Sequence, residues 1–338
     1  MLPSNGQTRA SPFDATLNKA FAERLWYEIM NVMKTMRRTQ IGRWLATTLC
    51  GFAATVASAE TDSMLRIIVF GAHPDDCELK AGGTAALWAA KGHKVKFVST
   101  TNGDIGHASE AGGPLAKRRT AEVQRADKIL GVETEVLDIH DGELLPTLEN
   151  RRTFTRLIRE WKADVVMGPR PCDYHPDHRY TGVLMQDAAF MVTVPSFCPE
   201  TPHLARNPVF FYLSDNFRKP YPFDPAAVVS IDPVFDQRSE AIWQLESQIE
   251  SLWVQGDFER VVPVPKDPAA REARRLAVRE QFGRRYANIA NQYRPLLVKL
   301  YGEEKGRAVK YAEAFELCEY GRQPSPDELK RLFPFFAQ

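Results

Sequence analysis

The sequence lacks several features that mark common protein classes. Its 338 residues carry 44 Lys and Arg against 43 Asp and Glu, so the net charge of +1 indicates neither a nucleic acid nor an anionic membrane surface as a partner. It has no Gly-x-Gly-x-x-Gly or Walker fingerprint and no Gly-x-Ser-x-Gly elbow, which disfavours a nucleotide-binding protein and a serine hydrolase. Fixed-period repeats and low-complexity tracts are also missing. What remains is an ordinary globular composition, long enough for one large domain or two modest ones.

Cysteine is scarce as well. The chain has five, and none are paired at the Cys-x-x-Cys spacing of a structural zinc site. Cys77 and Cys172 flank two histidine-containing segments described below. These two thiols could form a disulfide in an oxidising compartment if the segments converge, although spacing alone does not fix such a pairing.

The N-terminal region has an apolar stretch, but a short one. It runs from Trp44 to Val56, follows three nearby arginines and ends in Ala57-Ser58-Ala59. Such a stretch is too short to span a bilayer comfortably, so we predict no stable membrane span. A basic segment, a short apolar core and a small-residue cleavage site are the layout of a secretory signal peptide. We therefore predict a signal peptide within residues 33–59 and export to the periplasm or the exterior; the protein is cytoplasmic if the signal is not used.

This signal begins unusually late in the chain. We interpret residues 1–32 as the product of an upstream start codon. The alternative is an amphipathic helix within a longer arm, with Phe13, Leu17 and Phe21 on one face. The expected organisation is an N-terminal extension over residues 1–59 and one enzymatic domain over residues 60–338.

From Leu65 onward the sequence alternates between strand and helix patterns. Apolar, β-branched runs predict strands over residues 65–71, 94–100, 133–138 and 163–168. Helical spacing predicts helices over residues 82–91, 115–130 and 151–162. This alternation predicts an α/β fold with a Rossmann-like parallel sheet and helices on both faces.

Beyond about residue 180 the pattern loosens. Residues 195–225 are rich in Pro and aromatic residues and are interpreted as an irregular wall or lid, with a strand over 209–214. A further strand is expected over 228–231 and helices over 235–253 and 269–292. We predict that this part extends the same domain as a helical and irregular region.

Three of the seven histidines lie in two short segments. The first segment, Gly71-Ala72-His73-Pro74-Asp75-Asp76, follows the first predicted strand, and the second, Tyr174-His175-Pro176-Asp177-His178, follows the fourth. Ligands of a parallel sheet bind beyond the carboxyl ends of its strands. Two His-Pro-Asp segments at matching positions therefore favour one shared metal site over unrelated structural histidines.

The spacing within both segments suits a catalytic metal. His73 and Asp76 are three residues apart, as are His175 and His178, so each pair lies on one side of a turn that opens a helix. Two His and one carboxylate make a three-ligand site with room for water, as in catalytic zinc sites. Spacing does not decide between His175 and His178 as the ligand. Of the remaining acidic groups, one could act as a general base, and Asp177 could orient a ligand histidine.

Three blocks of the sequence resemble a known family, the PIG-L/LmbE zinc-dependent N-acetylglucosaminyl de-N-acetylases. Its opening signature is similar to His73-Pro74-Asp75-Asp76-x-Glu78 followed by Gly82-Gly83-Thr84. Its second and third blocks resemble Arg119-x-x-Glu122 with Leu130-Gly131, and Asp173-x-His175-Pro176-Asp177-His178. A later block is only partly kept, because Arg238, Ala241, Ser247 and Gln248 fit it but Leu245 stands where His is common.

The resemblance implies a role for each residue of the two segments. His73, Asp76 and His178 would bind one catalytic zinc ion. Asp75 would be the general base that activates the attacking water, and His175 would stabilise the oxyanion. The reaction would release acetate from an N-acetylglucosamine conjugate and leave a free amine.

For the substrate, the resemblance implies that Arg119 helps to shape the pocket, and Asp104 stands where the family often has an acidic residue. The sugar conjugate itself, the oligomeric state and the native metal, if not zinc, stay open. One alternative is a zinc hydrolase of a non-sugar N-acyl amide. Another is a non-catalytic carbohydrate-binding protein. The intact Asp75 and His175 argue against it, because binding alone does not need a base next to a metal.

Overall fold

The apolar run before the first His-Pro-Asp segment forms the central strand of a mixed sheet. The computed structural model describes residues 64–251 and 261–336, and in that part of the chain seven strands pair in the order β3-β2-β1-β4-β5-β7-β6. The strands are β1 Arg66–Gly71, β2 Lys94–Ser99, β3 Glu133–Val136, β4 Val165–Gly168, β5 Val209–Leu213, β6 Ala227–Ser230 and β7 Ala312–Leu317. The predicted signal peptide lies outside the described residues and stays a prediction.

The first five strands in this sheet are parallel. β1 pairs with β2 and β4, with Ile67 opposite Val95 on one side and Val165 on the other. β7 is antiparallel to both β5 and β6. The α/β fold is confirmed, and β7 makes the sheet mixed. The sequence pattern missed β7 because two of its six residues are glutamates, one of which, Glu313, is buried through an ion pair with Arg238.

Ten α-helices surround the sheet in the described residues. They are α1 Asp76–Ala90, α2 Gly113–Leu130, α3 Leu148–Trp161, α4 Pro176–Met191, α5 Phe235–Trp243, α6 Glu246–Ser251, α7 Pro268–Gln292, α8 Arg294–Tyr301, α9 Glu303–Ala308 and α10 Pro326–Leu332. Two differ from the sequence expectation. α4 is regular where the pattern loosens, and the single helix expected over 235–253 is interrupted between α5 and α6.

Both faces of the sheet are buried. Alternate residues of β1 point in opposite directions, so Ile67 and Val69 pack with α1, α2, α5 and α7, whereas Ile68 and Phe70 pack with α3, α4 and α8. This confirms the prediction of helices on both faces and explains why β1 is apolar at successive positions. Among the described helices, none is both long and apolar enough to cross a membrane.

The strand order brings four loops together at one edge of the sheet. β1, β2, β3 and β4 are parallel, so the segments that follow them all leave at the carboxyl edge. The segments after β1 and β4 contain the two His-Pro-Asp motifs, the segment after β2 is the glycine-containing loop, and the loop after β3 is the fourth.

Candidate metal centre and active site

Three side chains that the resemblance implies as metal ligands converge at this edge. His73 follows β1, Asp76 begins α1, and His178 lies in the first turn of α4. The Nε2 atom of His178 is 3.2 Å from Nδ1 of His73 and 3.3 Å from Oδ2 of Asp76. The same carboxylate oxygen is 3.6 Å from Nδ1 of His73. We call these three residues the ligand trio.

The backbone of the first segment holds Asp76 in place. Its Oδ2 atom accepts hydrogen bonds from the N–H groups of Ala72 and His73, both at 2.9 Å. Burial raises the pKa of Asp76, but His178 and His73 outweigh it and leave the pKa below its usual value. Asp76 is therefore an anion at neutral pH, as a metal ligand needs to be.

Each histidine of the trio has a carboxylate at its second ring nitrogen. Nε2 of His73 is 3.0 Å from Oδ1 of Asp141 and 3.3 Å from Oδ2 of Asp177. Nδ1 of His178 is 3.1 Å from Oδ1 of Asp173. Histidines that bind metals usually donate the N–H of their other nitrogen to such a carboxylate, which fixes the tautomer and the ring orientation.

This donor set fits a divalent metal ion such as zinc. It offers two imidazole nitrogens and one carboxylate oxygen, all within 4.8 Å of one another, and the usual ligand number of a catalytic zinc site is three. A second grouping joins the other nitrogen of His73 to Asp141, His175 and Asp177. The trio matches the ligands that the resemblance implies, and the carboxylates of the second grouping lie at Nε2 of His73, where they can orient its ring.

Asp75 lies beside the trio in a different environment from Asp76. It precedes α1, is buried, and its Oδ2 atom is 3.3 Å from Nη2 of Arg119. Burial raises the pKa of Asp75, and although Arg119 acts in the opposite direction the net shift is upward. A carboxylate that is not a ligand and has a raised pKa suits the acceptance and return of a proton.

Arg119 is held by the glycine-containing loop after β2. The guanidinium is buried and donates to the carbonyls of Gly103, at 3.1 Å, and Pro74, at 3.3 Å. A Cβ atom at Gly103 would lie 2.5 Å from Nη1 of Arg119, so only glycine allows this close approach. From the partly kept block, Gln248 donates to the carbonyl of Gly106 in the same loop at 3.3 Å.

His175 faces the trio from the start of α4. As the residue that caps this helix, it accepts the N–H of Asp177 at Nδ1, at 3.2 Å, and its ring is edge-on to His73. Burial and the neighbouring His73 lower the pKa of His175, so it is neutral at pH 7. Because Nδ1 accepts a hydrogen bond, the neutral ring carries its proton on Nε2, where it can be donated.

Asp104, which the resemblance suggested as a substrate contact, is directed to the loop after β3. Its Oδ2 atom is 2.6 Å from Nδ1 of His140, and its Oδ1 atom accepts the N–H of Asp141 at 3.0 Å. In the structure Asp104 therefore holds the loop that carries Asp141, and its contact with substrate stays a prediction. The supporting role of Asp141 was missed, although an acidic residue soon after the third strand was a usable sign of it.

Of the cysteines in the described residues, Cys77, Cys172, Cys198 and Cys318 are all free thiols. Cys77 and Cys172 are therefore not joined. Cys77 is buried against the sheet, where its Sγ atom is 3.4 Å from the carbonyl of Val69. Its role is packing beneath the first segment, which the sequence did not reveal.

Comparisons with known proteins show which proteins this chain is similar to. The family model described as PIG-L, GlcNAc-PI de-N-acetylase, matches residues 68–189. A diacetylchitobiose deacetylase from Thermococcus kodakarensis is 31% identical over 201 residues, which cover 56% of this chain and 72% of that protein. A 4-oxalmesaconate hydratase from Pseudomonas putida is 24% identical, with 55% and 74% covered. The solved structure of a conserved protein from Thermus thermophilus is 26% identical, with a TM-score of 0.54 over 77% of this chain and 98% of that chain.

Proposed function

We propose that this chain uses zinc to remove the N-acetyl group from an N-acetylglucosamine unit of a sugar conjugate. The proposal starts from two findings: the chain belongs to the PIG-L family, and it is an N-deacetylase, which is a hydrolase of non-peptide carbon–nitrogen bonds. The observation that carries this proposal is the placement of Asp75 and His175 beside the ligand trio. The name of the Thermococcus relative supports an N-acetylated sugar as the substrate.

In this proposal His73, Asp76 and His178 hold the zinc ion. When bound, zinc supplies a Lewis acid that polarises a carbonyl and lowers the pKa of water. The carboxylates Asp141, Asp177 and Asp173 keep the two histidines in the tautomers that leave Nδ1 of His73 and Nε2 of His178 free to bind it.

Asp75 and His175 carry the proton and charge movements. Asp75 accepts a proton from water as the water oxygen attacks the acetamide carbon. The Nε2–H group of His175 donates a hydrogen bond to the carbonyl oxygen, on which negative charge develops. Asp75 then returns its proton to the nitrogen as the carbon–nitrogen bond breaks, so that acetate and a free amine leave.

Tyr174 provides a surface for the sugar ring at the rim of the site. Its side chain is 72% exposed, and its ring lies edge-on to His175 and His178 and 6.5 Å from the ring of Phe217. Aromatic faces beside a catalytic site suit the apolar face of a pyranose. We propose that the ring of the acetylated sugar stacks on Tyr174.

The proposal is tested by acetate release from N,N′-diacetylchitobiose by purified residues 60–338 loaded with zinc. His178→Ala should lose both stoichiometric zinc, measured by elemental analysis, and activity. His203→Ala, at an exposed histidine outside the two segments, is the matched control and should keep both. Full zinc in the His178→Ala protein would refute that ligand. Acetate release only from simple N-acyl amines would refute the sugar substrate, and binding of the sugar without hydrolysis would leave a carbohydrate-binding protein.

We further propose that the protein is exported, which favours an envelope or external glycan as the substrate. Support comes from the basic, apolar and Ala-Ser-Ala pattern within residues 33–59. Cell fractionation with N-terminal sequencing tests this, with a chain that starts at residue 60 expected outside the cytoplasm. A full-length N-terminus in the cytosolic fraction would contradict it.

A further inference from the structure

A second, larger cavity lies away from the metal centre. It is a groove of about 600 Å³ alongside β5, β7 and the start of β6, and we call it the distal groove. Of its lining residues only Gln186 belongs to the segment 68–189 that the family model matches. The groove is therefore mainly built by the C-terminal part of the chain.

The lining of the distal groove is aromatic and acidic. It includes three tyrosines and three carboxylates: Tyr212, Tyr221, Tyr320, Asp224, Glu316 and Glu319. No Lys, Arg or His within residues 64–251 and 261–336 lines it. The volume is that of a small-molecule site, but a phosphate or carboxylate ligand would meet only like charge. Tyrosine faces and carboxylates suit a polyhydroxylated ring that carries a positive charge.

Two of these carboxylates lack a neighbouring cation. Asp224 and Glu319 form no ion pair with any residue that the structure describes, and Glu319 is exposed at the turn after β7. Glu316 is buried and lies 3.8 Å from Nη1 of Arg170, while its Oε2 atom accepts the N–H of Asp224 at 2.7 Å. The groove therefore has acceptor capacity and negative charge left for a cationic ligand.

Arg170 forms a common wall between this groove and the metal centre. Its guanidinium is fully buried and pairs with Asp215, with Nε 2.7 Å from Oδ2 and Nη2 2.5 Å from Oδ1. It also donates to the carbonyl of Tyr221 at 3.1 Å. On one side, Arg170 lines a small cavity with the ligands Asp76 and His178. On the other side it supports Tyr221, whose ring lies 5.2 Å from the guanidinium and lines the distal groove. Arg170 thus packs between the two sites from inside the protein.

The separation of the two sites sets the length of a ligand that reaches both. Pro176 starts α4 beside His175, and Gln186 of the same helix lines the groove ten residues later. Ten helical residues correspond to about 15 Å. A disaccharide is too short to occupy both ends of this span with one ring at each, whereas a chain of several sugars is long enough.

We propose that the distal groove binds a deacetylated glucosamine unit of the same sugar chain whose acetylated unit lies at the metal centre. This inference rests on the proposed function and names the substrate class, a partly deacetylated glucosamine oligosaccharide. A free amine is protonated at neutral pH. A sugar unit that has lost its acetyl group in one turnover is therefore cationic and can bind in the acidic groove. Partly deacetylated chains are then better substrates than fully acetylated ones.

Binding tests the groove without hydrolysis. Calorimetry with the zinc-loaded Asp75→Asn protein, which is expected to keep the metal but not to hydrolyse an acetyl group, should show that a glucosamine tetrasaccharide binds more tightly than its N-acetylated counterpart. Tyr320→Ala, at a side chain that is 60% exposed, and Glu319→Gln should each weaken this binding by about fivefold. Phe190→Ala, at an aromatic side chain that is 71% exposed but outside the groove, is the matched control and should not change it.

Kinetics separate this inference from the proposed function. For a partly deacetylated tetrasaccharide, Tyr320→Ala and Glu319→Gln should raise KM by about fivefold with kcat unchanged, and neither should affect diacetylchitobiose. Equal binding of the glucosamine tetrasaccharide by wild type and both variants would overturn the groove assignment even if acetate release from diacetylchitobiose is normal. Loss of all acetate release by the wild type would instead overturn the proposed function, with the binding result unaffected.

Discussion

The metal centre and the distal groove are both acidic, but their charges are arranged differently. At the metal centre five carboxylates surround three histidines and Arg119, and most of them lie within contact distance of a ring nitrogen or a guanidinium. In the groove the carboxylates stand among tyrosines, and Asp224 and Glu319 form no ion pair with any residue of the described chain. Converging donors suit a compact metal ion, whereas spread acceptors beside aromatic faces suit an organic cation.

The two regions also differ in which part of the chain builds them. The metal centre lies within residues 68–189, the segment that the family model matches, whereas all residues that line the groove except Gln186 lie between positions 212 and 323. In this protein the residues proposed for catalysis and most of the residues proposed to bind a second sugar unit therefore come from different segments of the chain. Four changes would sharpen or break this comparison.

The largest expected effect is at Asp75. Asp75→Asn keeps the shape of the side chain but cannot accept the proton, so kcat for acetate release should fall by about 10² to 10⁴. Zinc content, measured on the same sample, should stay stoichiometric because Asp75 is not in the ligand trio. A variant with normal activity would remove Asp75 as the base, and a variant without zinc would mean that it is a ligand.

A smaller effect is expected at Asp173, which contacts Nδ1 of His178. Asp173→Asn retains an acceptor for the N–H of His175 but lacks the charge that orients the ligand histidine. Zinc affinity, measured by competition with a chelator, should weaken by about 10- to 100-fold. The control is Asp187→Asn, which removes a surface pair with Arg151 and should leave zinc affinity unchanged. Equal affinities in the two variants would show that Asp173 does not support the centre.

A pH-dependent effect on stability is expected behind the metal centre. Glu78 and Asp127 are both buried, burial raises the pKa of both carboxyl groups, and that of Asp127 rises from 3.8 to about 7. Because the folded state holds a proton that the unfolded state releases, this pair favours folding below about pH 4, and the contribution is lost as pH rises to about 7.

Asp127→Asn should remove the part of this loss that comes from Asp127, since an amide does not ionise. The free energy of unfolding of the variant relative to wild type should therefore increase between pH 4 and pH 8, by a few kcal/mol. Asp327→Asn, at an exposed acid in the first turn of α10, serves as the control. Its free energy of unfolding should change with pH in the same way as that of the wild type. A curve for Asp127→Asn that also runs parallel to that of the wild type would contradict the raised pKa of Asp127.

The smallest effect is expected at the rim. Tyr174→Ala should raise KM for diacetylchitobiose by about fivefold, because an exposed aromatic face contributes about 1 kcal/mol to a contact of this kind. Tyr174→Phe keeps the ring and should restore the wild-type KM. If Tyr174→Phe is as impaired as Tyr174→Ala, the hydroxyl group matters and stacking is not the contribution of this residue.

Much of the fold could be predicted from local patterns. The strands β1 to β6 and the helices α1 to α3 appear where apolar runs and helical spacing indicate them, with shifts at their ends. α4 was not delimited because apolar, small and polar residues are mixed around it, and its end near Met191 has no strong marker. β7 was missed because the glutamates that interrupt its apolar pattern are buried by arginines far along the chain.

The main residues of the candidate site could also be predicted from the sequence. The motif residues His73, Asp76 and His178 follow strands whose ends meet in any parallel sheet of this kind, and the structure brings them together. Asp141 was not foreseen, because its approach to His73 depends on the path of the loop after β3. Arg119 could be assigned to the pocket, but its contact with Asp75 requires the glycine-containing loop to fold around it.

What the sequence by itself determined is the set of reactive groups and their local spacing. His73 and Asp76 lie on one side of a helix start, with Asp75 between them, whatever surrounds them. Only the tertiary structure decided that these neighbouring carboxylates differ, with the pKa of Asp76 lowered by histidines and that of Asp75 raised by burial. The reason is physical: protonation depends on burial and on charges brought close in space, and His178 and Arg119, which act on Asp76 and Asp75, lie 102 and 44 positions away along the chain.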